Sequence, residues 1–297
     1  RQALHNSLRR LKTDYIDLYQ LHWPERKTNK FGQRGFTYIP DDPWIENFEI
    51  VLDNLKTHVD SGKIRYVGIS NENPWGMMRF ISASNQQLPR MVTIQNAYSL
   101  LSREFETGHS EICHRENIGL LAYSPLGFGV LTGKYMNGVI PKGSRLDVMP
   151  NYKRYSSYEC SKATKLYNQL AKESGLSLTQ LALSFVNDRS FVTSNIIGAT
   201  NMEQLKENID SHKIELSKDI LSQIDGDEVL FVYARNSNGM RVPLAIDIFD
   251  VIKSKKNYTV RLDNTMSMID TLTPVSYTHL RAHETPEHLV CRLLLEK

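Results

Sequence analysis

LYQLHWP, residues 18–24, is the stretch on which the fold turns. It completes Tyr15-Ile-Asp-Leu-Tyr-Gln-Leu21, which reads as a buried strand, and it ends in His22, Trp23 and Pro24. An imidazole at the end of a core strand is either a hydrogen-bonded structural group or part of a site, and the surrounding pattern has to separate the two. Upstream, Leu4, Leu8 and Leu11 fall at helical spacing. Downstream comes a long loop, 25–43, with Phe31, Phe36 and Tyr38. Trp44, Phe48, Val51, Leu52, Leu55 and Val59 then mark one face of an amphipathic helix that Gly62 stops.

The alternation continues. Ile64 to Ile69 reads as a strand, with Asn73-Pro74 as the cap and first turn of a helix. Met91 to Gln95 and Gly119 to Tyr123 read as strands flanking a helix near Arg103 to Glu116. Helices follow over about 157–173 and 178–188, the second capped by Ser177. A strand from Ser194 to Gly198 leads to a helix from Met202 to Asp210, and a last helix runs from Lys218 to Ile224. Five strand–helix units, apolar on both strand faces and without hairpin signals, argue for a parallel sheet covered by helices. An open doubly wound sheet and a (β/α)8 barrel both fit that count. Neither G-x-G-x-x-G nor G-x-x-x-x-G-K-[ST] occurs, which removes the usual phosphate-loop argument for the former.

Composition narrows the function classes. A net charge of +3 over 297 residues, with no basic block, gives little support for nucleic-acid binding. Cys113, Cys160 and Cys291 are odd in number and lack metal-ligand or disulfide spacing, so a reducing cytoplasm is the expected setting and no metal site is read. No apolar run approaches a membrane span, RQALHNSLRR carries no signal-peptide core, and without an initiator methionine the chain reads as starting within a longer protein.

In a parallel α/β barrel the site lies at the C-terminal ends of the strands. Here those ends are His22, Ser70-Asn71, Gln95, Tyr123-Ser124 and Gly198-Ala199-Thr200. All five are polar. Asn and Gln together can bond a carboxamide and a tyrosine can stack on a flat ring, which suits nicotinamide; turn and cap chemistry is the alternative for Asn71 and Gln95. Gly198 to Thr200, opening a helix, is a plausible anion site.

LYQLHWP, GKIRYVGISNENPWGMMRF, TIQNAYSLLSREFE, LLAYSPLGFGVLTGKY and IIGATNMEQLKENI together resemble the aldo-keto reductases, most closely their Tas-like bacterial branch, in order and spacing from about Gln2 to Ile224. The resemblance implies a (β/α)8 TIM barrel, represented by about its last five strand–helix units, that binds NADP(H) extended and transfers hydride between nicotinamide and an aldehyde or ketone. By the same resemblance His22 orients the substrate carbonyl. Ser70, Asn71 and Gln95 contact the carboxamide, and Tyr123 stacks on nicotinamide. Ser124, Pro125, Leu126, Gly127 and Lys134 cross the pyrophosphate, with Arg145 in the same lid. Gly198 and Thr200 bind the adenosine phosphate, while Gln204, Glu207 and Asn208 hold the adenine end, for which a solvated helix face is the alternative. Trp23 lines the substrate pocket. A cofactor-binding regulatory subunit like the potassium-channel β subunits shares this fold and site, and a barrel enzyme using His22 as a general base without nicotinamide is a third reading.

The family's catalytic aspartate, tyrosine and lysine lie before the point matched by Arg1, so the fragment itself is expected to be inactive. The family pattern covers residues 1–226. Residues 227–274 form an unassigned extension, native or chimeric. In 275–297, VSYTHLRAHET is similar to the translation of a transposase-based sequencing adapter and LVCRLLLEK to its continuation, so His279, His283, His288 and Cys291 prompt no metal site.

Overall fold

Strands whose outward residues are apolar and whose inward residues are polar need a helical layer on one side only, and that is the arrangement seen in a computed structural model of the chain. It describes residues 2–29, 31, 35–84 and 87–225, and the backbone of three strands between 229 and 283. The element order is α1 (Gln2–Leu11), β1 (Ile16–Leu21), α2 (Phe48–Asp60), β2 (Ile64–Ser70), α3 (Pro74–Ala83), β3 (Met91–Ala97), α4 (His109–Glu116), β4 (Gly119–Tyr123), α5 (Arg145–Val148), α6 (Tyr158–Glu173), α7 (Leu178–Asp188), β5 (Val192–Asn195) and α8 (Met202–Asp210). β1 to β5 form one parallel sheet in sequence order, the run of successive strands found in a (β/α)8 barrel.

The helix-facing side of the sheet is the core. Val67, Ile69, Ile94, Leu120 and Ala122 are at most 2% exposed. Leu181, Leu183 and Phe185 of α7 are fully buried, each contributing roughly 1.5–3 kcal/mol. The opposite side carries Gln20, Gly68, Thr93 and Gln95. Gly68 is required there, because a Cβ would stand 2.4 Å from Thr93 Oγ1. The sequence reading of strands apolar on both faces is therefore corrected: Tyr66 is 59% exposed, and β1 has no buried residue.

Local signals worked as expected at several helix ends. Asn73 caps α3 by accepting from the Gly76 amide, and Ser177 forms a reciprocal capping box with Gln180 on α7. Others shift. The helix expected from Arg103 is a 3-10 turn over Glu104–Thr107 followed, after Gly108, by α4. β5 ends at Asn195, so Gly198 lies three residues beyond its strand rather than at the strand end. Among the described residues no helix is long and apolar enough to cross a membrane.

The chain forms two compact units, residues 1–217 and 218–297. The second unit contains α9 (Lys218–Asp225) and an antiparallel sheet of β6 (Val229–Arg235), β7 (Ala245–Asp250) and β8 (His279–His283), ordered β7-β6-β8. The sequence reading contained no such sheet. His288 and Cys291 lie outside the described residues.

Candidate active site

Four strand ends converge on Asn71. This residue has φ +55°, a left-handed conformation that asparagine tolerates better than most side chains. Its Nδ2 donates to the His22 carbonyl at 2.8 Å and to Ser70 Oγ at 3.1 Å, while its Oδ1 accepts from Tyr123 Oη at 2.6 Å. Ser70 Oγ in turn donates to the Gln95 carbonyl at 2.6 Å, and the Asn71 amide donates to the same oxygen. Gln95 Nε2 donates to Gln20 Oε1 at 2.9 Å. His22, Ser70, Asn71, Gln95 and Tyr123 thus share one network. His22 itself is exposed, its ring 4.2 Å from that of Trp23, and a cavity of about 220 Å³ opens beside the two, walled by Trp44, Phe48 and Phe80.

Under this network lies a pair the sequence reading missed. Arg26 and Glu72 are 7% and 3% exposed and form a two-bonded ion pair at 2.9 and 2.5 Å. Charges so deeply withdrawn from water persist only when fully paired. The one local signal was Gly76, a glycine in the first turn of a helix. A Cβ there would stand 2.3 Å from the Glu72 carboxylate and 2.4 Å from Arg26 Nη2.

The loop after β4 is a second group. Ser124, Gly127, Phe128, Gly129 and Gly133 all have positive φ. Pro125 and Leu126 lie between, and the Gly127 amide closes the turn onto the Ser124 carbonyl at 2.9 Å. Gly129 makes room for Lys134, whose Nζ would be 2.9 Å from a Cβ at that position. Arg145 and Arg154 both face the Phe128 ring, at 5.1 and 5.6 Å. Tyr155 lies beside Gly127, and burial pushes its phenol up, partly opposed by Arg154, so it holds its proton at neutral pH. Cys113 is no nucleophile: burial pushes its thiol up to about 12.

A third group surrounds the start of α8. The Thr200 amide and hydroxyl both donate to Gln204 Oε1 at 3.0 Å, Asn208 Nδ2 donates to the Gly198 carbonyl at 3.1 Å, and Glu207 accepts from Ser177 Oγ at 2.6 Å. Gly198, Thr200 and Gln204 are exposed, and Asn208 is buried.

Comparison with known proteins gives these groups a context. Residues 1–227 match the model of the aldo/keto reductase family. The chain is 48% identical to Protein tas of Escherichia coli (strain K12) over 78% of its own length and 67% of that protein's. It is 41% identical to an aldo-keto reductase of Babesia bovis, over 70% of this chain and 78% of that one, and 30% identical to L-glyceraldehyde 3-phosphate reductase of E. coli K12, over 75% and 61%. The crystal structure of a thermostable aldo-keto reductase with the inhibitor epalrestat superposes with a TM-score of 0.53 at 26% identity, covering 75% of this chain and 64% of that one. The chain spans about two thirds of the length of most of these proteins. Separately, residues 211–282 match a model described as the cytochrome c-type biogenesis protein H Ig-like domain, a span that contains the unassigned segment 227–274 and overlaps its neighbours on both sides. Over its first 227 residues, with five parallel strands in barrel order and polar residues at their ends, the chain belongs to the aldo/keto reductase family, a family of oxidoreductases.

Proposed function

We propose that the chain carries the cofactor and carbonyl-orienting part of an NADP(H)-dependent reductase acting on an aldehyde or ketone. The observation that carries this reading is the Asn71 network, which ties the side chains of Ser70, Asn71 and Tyr123 to the main-chain carbonyls of His22 and Gln95 and so draws four strand ends together. The residues fit a carboxamide. Both Asn71 N–H groups are used, but its Oδ1 retains a lone pair, and Gln95 retains an N–H and its Oε1, so the strand ends keep both acceptor and donor capacity for a carboxamide. The space Gly129 leaves is filled by the Lys134 ammonium, a positive charge on a loop read as lying over a pyrophosphate.

When bound, the nicotinamide supplies the hydride. The chain's residues bind, orient and shield the reacting groups. The exposed His22 imidazole donates a hydrogen bond to the carbonyl oxygen, and Asn71 anchors its backbone through the His22 carbonyl. Trp23, Trp44 and Phe48 supply the apolar wall that excludes water from the carbonyl carbon. Tyr123 Oη is tied to Asn71, which sets its ring plane for stacking. An aldehyde is in keeping with the name of the glyceraldehyde phosphate relative. The family's aspartate, tyrosine and lysine have no counterpart among the motifs matched here, and loss of a general acid costs about 10² to 10⁴ in rate. The 297-residue polypeptide should therefore bind NADPH yet turn over negligibly.

The experiment is a fluorescence titration of the full chain with NADPH, followed by addition of an aldehyde at 340 nm. Saturable binding that Gln95→Ala weakens at least tenfold, without NADPH consumption, is the expected result. Binding unaffected by Gln95→Ala would remove the nicotinamide reading; rapid turnover would remove the claim of inactivity.

A further inference from the structure

The loop leaving β1 is fastened at two points to two adjacent residues. The carbonyl of His22 is held by Asn71 Nδ2 at 2.8 Å, and four residues on, the Arg26 guanidinium is held by the Glu72 carboxylate at 2.9 and 2.5 Å. Residues 22–26 therefore form a closed arc on the turn after β2. Inside it, Pro24 is buried and fixes its own φ, while Trp23 at the crest is 52% exposed and lies against His22.

Each end of that attachment is immobilised from elsewhere. Arg26 Nη2 also donates to Asn73 Oδ1 at 3.1 Å, and its guanidinium lies 4.8 Å from the centre of the Trp75 ring, with Trp44 and Phe48 at 6.0 and 5.8 Å. The Glu72 carbonyl accepts from Asn96 Nδ2 at 2.8 Å and from His109 Nε2 at 2.9 Å. Glu72 is thus gripped by its main chain from β3 and α4 and by its side chain from the loop. Asn73 Nδ2 adds a bond to Thr28 Oγ1 at 2.6 Å.

We propose that the Arg26–Glu72 pair is a positioning element that sets the placement of His22 and Trp23 beside the pocket. The proposal rests on the reading of His22 as the carbonyl-orienting residue. A buried ion pair is poor value as a source of stability, since an apolar pair of the same volume commonly does as well or better. Its distinctive property is direction: the planar fork of arginine meets a carboxylate in a single orientation, which a lysine or an apolar contact does not impose. The glycine at position 76, inside a helix where glycine is unfavourable, preserves the space for that geometry.

The test uses the full chain with Arg26→Met, Glu72→Leu, the two combined, and Arg26→Lys. Two quantities are read: the thermal midpoint, and the position of His22, from its imidazole resonances (assigned by their loss in His22→Gln) and from the nuclear Overhauser contact between the His22 and Trp23 rings. The double variant is expected to regain most of the midpoint lost by either single change. It should still show shifted His22 resonances, a weakened ring–ring contact, and at least tenfold weaker benzaldehyde-induced shifts at His22. Arg26→Lys should stay folded and show the same displacement. Should Arg26→Lys or the double variant keep the wild-type His22 resonances and ring contact, the pair is merely structural and the proposal falls. The underlying reading fails separately: benzaldehyde would then leave the wild-type His22 resonances untouched, while the ring contact still reports on the clamp.

Discussion

The two ends of the expected cofactor site are assembled from different kinds of bond. At the ends of β1 to β4 the partners are distant in the chain: Arg26 with Glu72, His22 with Asn71, Asn71 with Tyr123, separated by 46, 49 and 52 residues. Around α8 they are neighbours: Thr200 with Gln204, Gln204 with Asn201, Gly198 with Asn208, separated by 4, 3 and 10, with Ser177 to Glu207 as the one long reach described. Bonds of the first kind exist only when the sheet is assembled, because closing those loops costs entropy that the sheet must offset. Bonds of the second kind form with the helix itself. The difference teaches that the first end should fail cooperatively with the fold, and the second should open locally.

The largest expected effect follows from that contrast. Glu72→Ala leaves the Arg26 guanidinium buried without its carboxylate and should lower stability by about 3–5 kcal/mol, seen as a shift of the urea midpoint. Asn208→Ala, which deletes one local bond at the other end, should cost only about 1 kcal/mol. Equal losses would erase the distinction between the two ends.

Next is Asn71→Ala. It strips partners from the His22 carbonyl and the Tyr123 hydroxyl and places alanine at φ +55°. Together these should cost about 2–3 kcal/mol and weaken NADPH binding in the fluorescence titration. An unchanged affinity in a destabilised but folded variant would make Asn71 a purely architectural residue.

The pH dependence of the long-range end is set by His109. Its ring stacks on Phe105 at 4.6 Å, its Nε2 donates to the Glu72 carbonyl, and its Nδ1 is buried without a hydrogen-bond partner. Burial therefore holds its pKa below the ordinary histidine value of 6.5, only partly opposed by the bond to Glu72. Above that value the imidazole is neutral in both folded and unfolded chains, and the group contributes no slope. As pH falls below it, the unfolded chain takes up the proton first, so stability drops, by at most about 1.4 kcal/mol per pH unit, until the folded histidine also protonates. His109→Gln should flatten that part of a stability–pH curve; an unchanged slope would assign it to other groups.

The same contrast explains what could be read in advance. Caps such as Asn73 and Ser177 were legible because their partners lie three residues away. The polar strand ends were legible as a pattern, since strand periodicity and barrel geometry place them together. The Arg26–Glu72 pair was not, because nothing in either residue's neighbourhood announces a partner 46 positions distant; only Gly76, an unexplained glycine in a helix, pointed to crowding there. Gly198 was misplaced by three residues because Ile196 and Ile197 are as apolar as a strand, yet β5 ends at Asn195 and the last backbone bond to β4 runs from the Ile196 amide to the Ala122 carbonyl. The left-handed residues Ser124 and Phe128 were illegible for another reason: side chains of their kind rarely adopt that conformation, so no propensity predicts it.

The smallest stability effect discriminates most at the local end. Gln204 is exposed and accepts both bonds from Thr200, so Gln204→Ala exchanges them for water and should change stability by no more than about 0.5 kcal/mol. Stability is thus silent about its role, and ligand binding becomes informative. If the turn at Gly198 to Thr200 receives the adenosine phosphate, releasing Thr200 from Gln204 disorders the turn, and binding of 2′,5′-ADP should weaken several-fold by calorimetry. If that probe binds the variant as it binds the wild type, Gln204 and Glu207 are a solvated helix face, and the buried Asn208 is a structural tie to the Gly198 carbonyl. The cofactor reading would then stand on the long-range network around Asn71, where Gln95→Ala and Asn71→Ala test binding against folding.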